Sequence, residues 1–293
     1  MSRRPTLTIG LPVYNAAPWL EGALRSVFAQ TFGDWELLVV DDGSTDASVA
    51  IAESVRDPRL RVIADGQHRG LAARLNQIAA RARGACVARM DADDMMHPRR
   101  LELQMQFLEA HAEVDCVGCG LLILDGRDRP SGVRILPAGH ADICRDPLKG
   151  IGIGHATLVA RSEWLRRHPY DERNLHCEDW GLWFSSYAES RFANLEQPLY
   201  FYRDVKSFRL PKYMRDKLLL AGFLWREGRP RFGAWRTSLQ VLGQYARVLA
   251  YVLSLVPGMK GWLLRRRNQP LDEAQRRALE LTLQQVRSIG LPL

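Results

Sequence analysis

Three carboxylates stand within four positions, Asp91-Ala92-Asp93-Asp94, at the end of a run of strand character that begins at Ala85. Acids gathered at the carboxyl end of a buried strand repel one another, and a cation or hydrogen bonds must offset that repulsion. A hard divalent ion that keeps open positions for a phosphate is the simplest such cation. The competing reading is a solvated acidic turn capping a helix that opens at Pro98. A second pair, Asp41-Asp42, ends another apolar run and leads into Gly43-Ser44-Thr45-Asp46, a glycine turn with helix-capping residues. A third pair, Glu178-Asp179, opens a helical pattern, where an acid also suits the helix dipole.

The elements that must position these groups alternate. Leu7 to Val13 reads as a buried strand, and Leu20, Ala23, Leu24, Val27 and Phe28 then keep helical spacing. Glu36 to Val40 is a second strand, apolar enough to be covered on both faces. A helix to about Ser54 follows, then a short strand from Leu60 to Ile63 and a helix with Leu71, Leu75, Ile78, Ala79 and Ala82 on one side. Arg74 and Asn76 fall off that stripe, and the strand leading to Asp91 closes the series. Such alternation predicts an α/β fold with a mostly parallel sheet. Ligands in these sheets bind outside the carboxyl ends of strands, where Tyr14, Asp41, Asp42, Asp91, Asp93 and Asp94 all fall. Further on, a helix with Leu101, Met105 and Leu108, strands at Asp115–Leu124 and Leu195–Tyr202, and a turn at Asp125-Gly126 are expected. A glycine-rich loop at Ile151–His155 runs into another strand.

The chain has 293 residues, a net charge of +8 and a pI near 9.5. That length supports a sizeable core, and the charge points to an anionic partner: nucleic acid, phospholipid headgroups or a nucleotide-linked substrate. Five cysteines, without disulfide-scaffold spacing, suggest a reducing compartment. Cys116 and Cys119 lie in an apolar strand with no second ligand pair, which favours buried thiols over zinc. No apolar stretch reaches a membrane span, and no signal peptide is expected. A dinucleotide oxidoreductase is disfavoured because no G-x-G-x-x-G follows the first strand.

Taken together, Pro12-Val13-Tyr14-Asn15, Val39-Val40-Asp41-Asp42-Gly43-Ser44-Thr45-Asp46, Asp91-Ala92-Asp93-Asp94 and Glu178-Asp179-Trp180 resemble the family 2 glycosyltransferases of GT-A fold. The likeness covers roughly Leu7 to Tyr202. It implies an inverting enzyme that moves a sugar from a nucleotide diphosphate, expected to be UDP, to a hydroxyl of a glycan or lipid-linked acceptor. By that resemblance Asp93 is the principal ligand of a manganese or magnesium ion, Asp94 supports it, and Asp91 lies on the ribose side. Asp42 reads the base, Tyr14 packs on it, the backbone at Pro12 lines the pocket, and Arg74 reaches the diphosphate. Asp179 is the catalytic base, with Glu178 orienting it or binding acceptor. His155 is an acceptor-side or metal-adjacent group, or a packed histidine, and Trp180 borders a sugar.

The implied organisation is a transferase domain over 1–205, with a nucleotide-sugar half to about 98 and an acceptor half beyond it. A basic helical extension over 206–293 follows. Within it, apolar residues from Trp235 to Leu264 keep helical spacing and Arg265-Arg266-Arg267 follow. This fits a helix in an anionic membrane interface, or one docked on the main domain or on a second copy in a homodimer. Asp272 and Gln275 form a capping box for a last helix. The placement implied is cytoplasmic, peripheral on the inner face of the membrane, with no nucleic acid as partner. The alternatives are a nucleotidyltransferase, disfavoured because Pro12 to Pro18 lacks a glycine- and arginine-rich loop, and an inactive binding module on the same fold.

Overall fold

Residues 4–203, 210–253 and 268–293 are described by a computed structural model. Leu7, Ile9, Leu11 and Val13 alternate along β1 (Leu7–Val13) and are buried on one face of the sheet, against α1 (Ala17–Phe28). The opposite face of β1 carries Gly10. A Cβ there would lie 2.4 Å from Ile78 Cγ2, so the glycine lets α3 (Leu71–Arg81) rest directly on the strand. β2 (Trp35–Asp41) is buried throughout, and α2 (Ser48–Ser54) leads to β3 (Leu60–Ile63). With β4 (Cys86–Arg89) these strands pair in parallel in the order β3-β2-β1-β4, the doubly covered sheet expected of the first half.

The second half is mixed. β6 (Cys116–Leu124) and β8 (Val159–Arg161) join β4 through antiparallel pairs, and β9 (Phe192–Arg203) then runs parallel to β6. Two strands escape the sequence pattern. β5 (Met95–Met96) is only two residues long, and β7 (Pro130–Arg134) opens on a proline after the turn at Asp125. β5 closes the far edge against β9, and β7 pairs with β6. The helix expected at Pro98 begins two residues later, as α4 (Arg100–Ala110).

A short α5 (His140–Ile143), then α6 (Ser162–Arg167) and α7 (Glu178–Ser186), lie between the later strands. Trp164 and Trp183 pack beside Leu75 and Ile78 of α3 on one face, while α1 and α4 cover the other. The extension holds α8 (Leu210–Phe223), which continues through a π-helical turn into α9 (Arg229–Phe232), then α10 (Ala234–Leu253) and α11 (Glu273–Ser288). The expected boundary at Arg203–Pro211, the continuation of the long helix past Leu253, Trp262 and Arg265–Arg267 fall wholly or largely outside the described residues. The capping box at Asp272 and Gln275 forms in both directions, at 2.7 and 3.1 Å. α11 returns to the first half: Leu283 and Val286 are buried with Met95, Leu122, Leu124 and Phe201, and Arg25 donates to the Ile289 carbonyl.

Candidate active site

The loops after β1 and β2 are tied into one piece. Ser44 Oγ accepts from the Asn15 backbone N–H (3.0 Å), Asn15 Oδ1 from Thr45 N–H (2.8 Å), and Ser48 Oγ from Ala16 N–H (2.9 Å). Asp41 bends its own turn by accepting from the Gly43 and Ser44 N–H groups, each at 3.0 Å. Gly43 has φ +74°, a conformation that favours glycine, and a side chain there would strike Gln67. Asp41 is therefore a scaffold residue.

Asp42 and Arg74 form the next layer back. Asp42 Oδ1 accepts from Arg69 N–H (2.8 Å), Gly70 N–H (3.1 Å) and Arg74 Nε (2.9 Å), while Oδ2 meets His68 Nδ1 at 3.0 Å. Arg74 is fully buried; its remaining donors go to Asp65, Gln77 and the Gln67 carbonyl. The expectation that Arg74 reaches a diphosphate is corrected here, because every nitrogen of its guanidinium is spent on bracing the loop that carries Asp42. Its place off the helix stripe misled the sequence reading; a buried arginine needs paired acids, and Asp42 and Asp65 supply them. Arg74 in turn holds the Asp65 carboxyl below the usual carboxylate range.

An open cleft of about 190 Å³ lies at the carboxyl ends of β1 and β4, lined by Pro12, Tyr14, Asn15, Leu71, Arg89, Asp91 and Asp93. Four of the residues singled out from sequence thus meet there: Pro12, Tyr14, Asp91 and Asp93. Tyr14 is half exposed at the rim, its ring 4.4 Å from that of His68. Asp94 turns beneath the cleft instead. It is 2 % exposed, accepts from Arg203 N–H at 2.9 Å, and burial with Asp93 and Asp91 nearby pushes its carboxyl well above the usual range. The turn is held from below: Asp91 N–H donates to Tyr200 Oη (3.0 Å), and Arg203 donates to the Asp93 carbonyl. Arg100, buried under it, donates to the Arg89 carbonyl (3.0 Å) with its guanidinium over the Tyr200 ring.

Arg89 joins the cleft to the second half of the fold. It grips Asp91 with two nitrogens, Nε to Oδ1 at 2.8 Å and Nη2 to Oδ2 at 3.2 Å, and its third nitrogen donates to His155 Nδ1. An arginine is always protonated, so Nδ1 must be the accepting nitrogen and Nε2 carries the hydrogen toward Tyr170 Oη, 2.9 Å away. Burial and Arg89 push the His155 pKa well below its ordinary value, leaving a neutral ring. His155 is thus a packed, neutral relay in this network. Asp179, in the first turn of α7, shares the neighbourhood: the charge of Arg89, which is hydrogen-bonded to Asp91, also favours the ionised form of Asp179. Burial raises the Asp179 pKa, and the Trp180 N–H that caps it at 2.8 Å opposes that rise. Glu178 accepts from His176 N–H (3.1 Å) and shapes the approach to the helix, while Trp180 lies half-buried beside Phe184.

The side chains suit a hard divalent ion shared with a substrate. Among the described residues no group of three or more metal-ligating side chains comes together. Asp93 lines the cleft, and Asp91 beside it is held by Arg89. Such an ion binds through one or two carboxylates and completes its shell with phosphate oxygens and water. The five cysteines are free, and burial raises the pKa of Cys116 and Cys119.

Arg89, Tyr170, Tyr200 and Arg203 were not singled out from sequence. Arg89 left a signal: a charge inside an apolar strand must be paired, and Asp91 two residues on shares its face. The others come from distant parts of the chain and leave none.

The fold is thus an α/β sheet covered by helices on both faces, with a D-x-D turn in a cleft at the carboxyl ends of its parallel strands. The sequence profile of Glycosyl transferase family 2 matches residues 8–164, so the chain belongs to that family and is a glycosyltransferase. Relatives include a Bacillus subtilis protein assigned as the glycosyltransferase EpsE, 33 % identical over 214 residues and spanning 70 % of this chain and 75 % of the relative. An Escherichia coli protein named UDP-Glc:alpha-D-GlcNAc-diphosphoundecaprenol beta-1,3-glucosyltransferase WfgD is 29 % identical, over 64 % of this chain and 72 % of its own. The fold is GT-A. It resembles Staphylococcus aureus TarS in complex with UDP-GlcNAc, with TM-score 0.59, 21 % identity, and 86 % and 82 % of the two chains covered. It also resembles the mannosyltransferase PcManGT from Pyrobaculum calidifontis in complex with GDP-Man and Mn2+, with TM-score 0.58, 19 % identity, and 98 % and 87 % covered.

Proposed function

We propose that this glycosyltransferase is an inverting, metal-dependent enzyme of polysaccharide assembly that moves a hexose from a UDP-sugar to a hydroxyl of a glycan or lipid-linked acceptor. The observation that carries the reading is the place of Arg89, which holds Asp91 of the D-x-D turn through two hydrogen bonds at 2.8 and 3.2 Å while its charge favours the ionised form of Asp179. The relative named as a UDP-glucose-dependent transferase acting on a diphosphoundecaprenol-linked sugar supports the donor and acceptor classes.

In this reading Tyr14 and the Pro12 backbone receive the base, and Asp91 faces the ribose. Asp42 serves the base pocket through the loop it holds, because its own oxygens are already engaged. Asp93 would hold the divalent ion, with Asp94 fixing the turn beneath it; when bound, the ion neutralises charge gathering on the departing nucleoside diphosphate. The acceptor oxygen attacks the anomeric carbon as the bond to the phosphate oxygen breaks. That electron pair leaves with the diphosphate, and the acceptor proton passes to Asp179. One base and one displacement give inversion. A raised pKa suits the task, since a more basic carboxylate takes a hydroxyl proton more readily. The enzyme works at the cytoplasmic face of the membrane as a peripheral protein.

A panel of nucleotide sugars, tested by thermal shift with and without manganese, reads donor class and metal need together. Stabilisation by UDP-sugars that requires the ion is the expected result. Equal stabilisation without it would remove the metal from the proposal, and no response to any nucleotide sugar would remove the donor assignment.

A further inference from the structure

α10 bears apolar side chains on two opposed faces. One carries Thr237, Val241, Gln244, Val248 and Tyr251, buried or half-buried, with Tyr251 stacked on Tyr213 of α8 at 4.5 Å. The other repeats Trp235, Leu239, Leu242, Leu249 and Val252 at helical spacing, all exposed. The usual order is inverted: Gln244 is buried, while Leu242 and Leu249 are 62 % and 60 % exposed and Trp235 is 75 % exposed. A helix of 20 residues is roughly 30 Å long, so this is a continuous apolar strip and not a scattered set. The preceding helical segment adds exposed Leu218, Leu219 and Trp225.

Charge decides what covers the strip. Residues 210–253 carry eight Lys and Arg side chains against two carboxylates, Asp216 and Glu227, and α10 itself has no acid. Two copies meeting through this face would bring like charges together. An anionic lipid surface opposes the charge, accepts tryptophan at its interface, and takes leucines below the headgroups. No helix among the described residues is long and apolar enough to cross a membrane; the exposed strip along one side of α10 has the geometry of a helix that lies on a surface.

We propose that the outer face of α10 seats this enzyme on an anionic lipid bilayer. The seat is joined to the chemistry. Phe184 of α7 packs on Phe223 of α8 at 5.3 Å, and Arg226 donates to Asn174 Oδ1 at 2.7 Å, so the helices that meet lipid are bolted to the helix that carries Asp179. An acceptor anchored in the same bilayer would be delivered on that side. This deepens the peripheral-membrane part of the proposed function and does not depend on the identity of the sugar.

The test is flotation of the full-length protein with phosphatidylcholine vesicles and with vesicles that also contain phosphatidylglycerol, at low and high salt. Expected is flotation with the anionic vesicles that weakens in salt, and at least a tenfold loss for the double variant Leu242→Glu/Leu249→Glu. Leu281→Glu, which charges an exposed leucine on α11, should float as the parent does. Quenching of tryptophan fluorescence by brominated anionic lipid should fall in Trp235→Phe, a change too mild to unfold the helix. Flotation that ignores the double variant, or absence of binding to anionic vesicles, would overturn the proposal. So would a dimer that the double variant dissociates while neither form floats. Turnover of a water-soluble acceptor should survive the double variant; its loss in the parent would indict the catalytic reading, not the lipid seat.

Discussion

Arg203 and Asp128 meet through two parallel hydrogen bonds, Nε to Oδ1 at 2.7 Å and Nη2 to Oδ2 at 2.9 Å, while the same arginine reaches the Asp93 carbonyl and its backbone N–H caps Asp94. The pair links β9, the loop between β6 and β7, and the D-x-D turn. Arg287 of α11 adds a bond to the Asp128 carbonyl at 3.2 Å. Because Asp128 is partly exposed, its truncation should cost only about 1 kcal/mol of stability. Asp128→Ala should therefore leave the melting temperature within a few degrees of the parent while raising the manganese concentration needed for half-maximal donor binding. An unchanged manganese requirement would make the pair purely structural.

Asp179→Asn should leave UDP affinity nearly intact and lower kcat by roughly a hundredfold to ten-thousandfold, the range typical of general-base removal. Loss of binding and turnover in equal measure would contradict its role as base.

The raised Asp179 pKa has a definite sign in a rate profile. With Asp179 as the proposed base, the active form is the carboxylate, so kcat should fall as pH drops through a value above the ordinary carboxylate range. Arg89 acts in the opposite direction, favouring the charged form. Arg89→Gln should move that acid limb to higher pH, and a stopped series of kcat against pH measures it. A limb that stays in place would show that Arg89 does not act on the base.

Asp93→Asn should abolish the manganese-dependent part of UDP binding in calorimetry. Metal-independent binding through Tyr14 and Asp91 should persist. Full retention of the manganese effect would exclude Asp93 as the ligand.

Asp94 offers a stability readout independent of catalysis. Its pKa is raised in the fold, so the folded chain holds a proton that the unfolded chain releases in the usual carboxylate range. Stability from this group is therefore full below that range and is lost as pH rises toward the folded value. Asp94→Asn mimics the protonated acid without titrating. Relative to the parent it should melt progressively higher as pH rises from the carboxylate range toward neutrality, and a pH-independent difference would refute the buried, protonated state.

The first half of this fold could be read from sequence because its strands are apolar runs and its helices amphipathic, both strictly local patterns. β5 was illegible at two residues, and β7 hid behind a proline. Within the site, Pro12, Tyr14, Asp91 and Asp93 were legible as residues at strand ends. Arg74 was misjudged because helical spacing reports which face a residue occupies, not which acids wait there. Arg203 and Tyr200 reach the D-x-D turn from more than a hundred residues away, and only tertiary structure brings such partners together.

The return of α11 onto the first half has a practical corollary for anyone trimming this protein. Cutting after β9 would look like a tidy way to isolate a catalytic fragment. It would instead strip Leu283 and Val286 from Met95 and Phe201, wetting the strand that immediately follows Asp94. The terminal helix is closer to a keystone than to an appendage, and shortened versions should be engineered by internal deletion that keeps it.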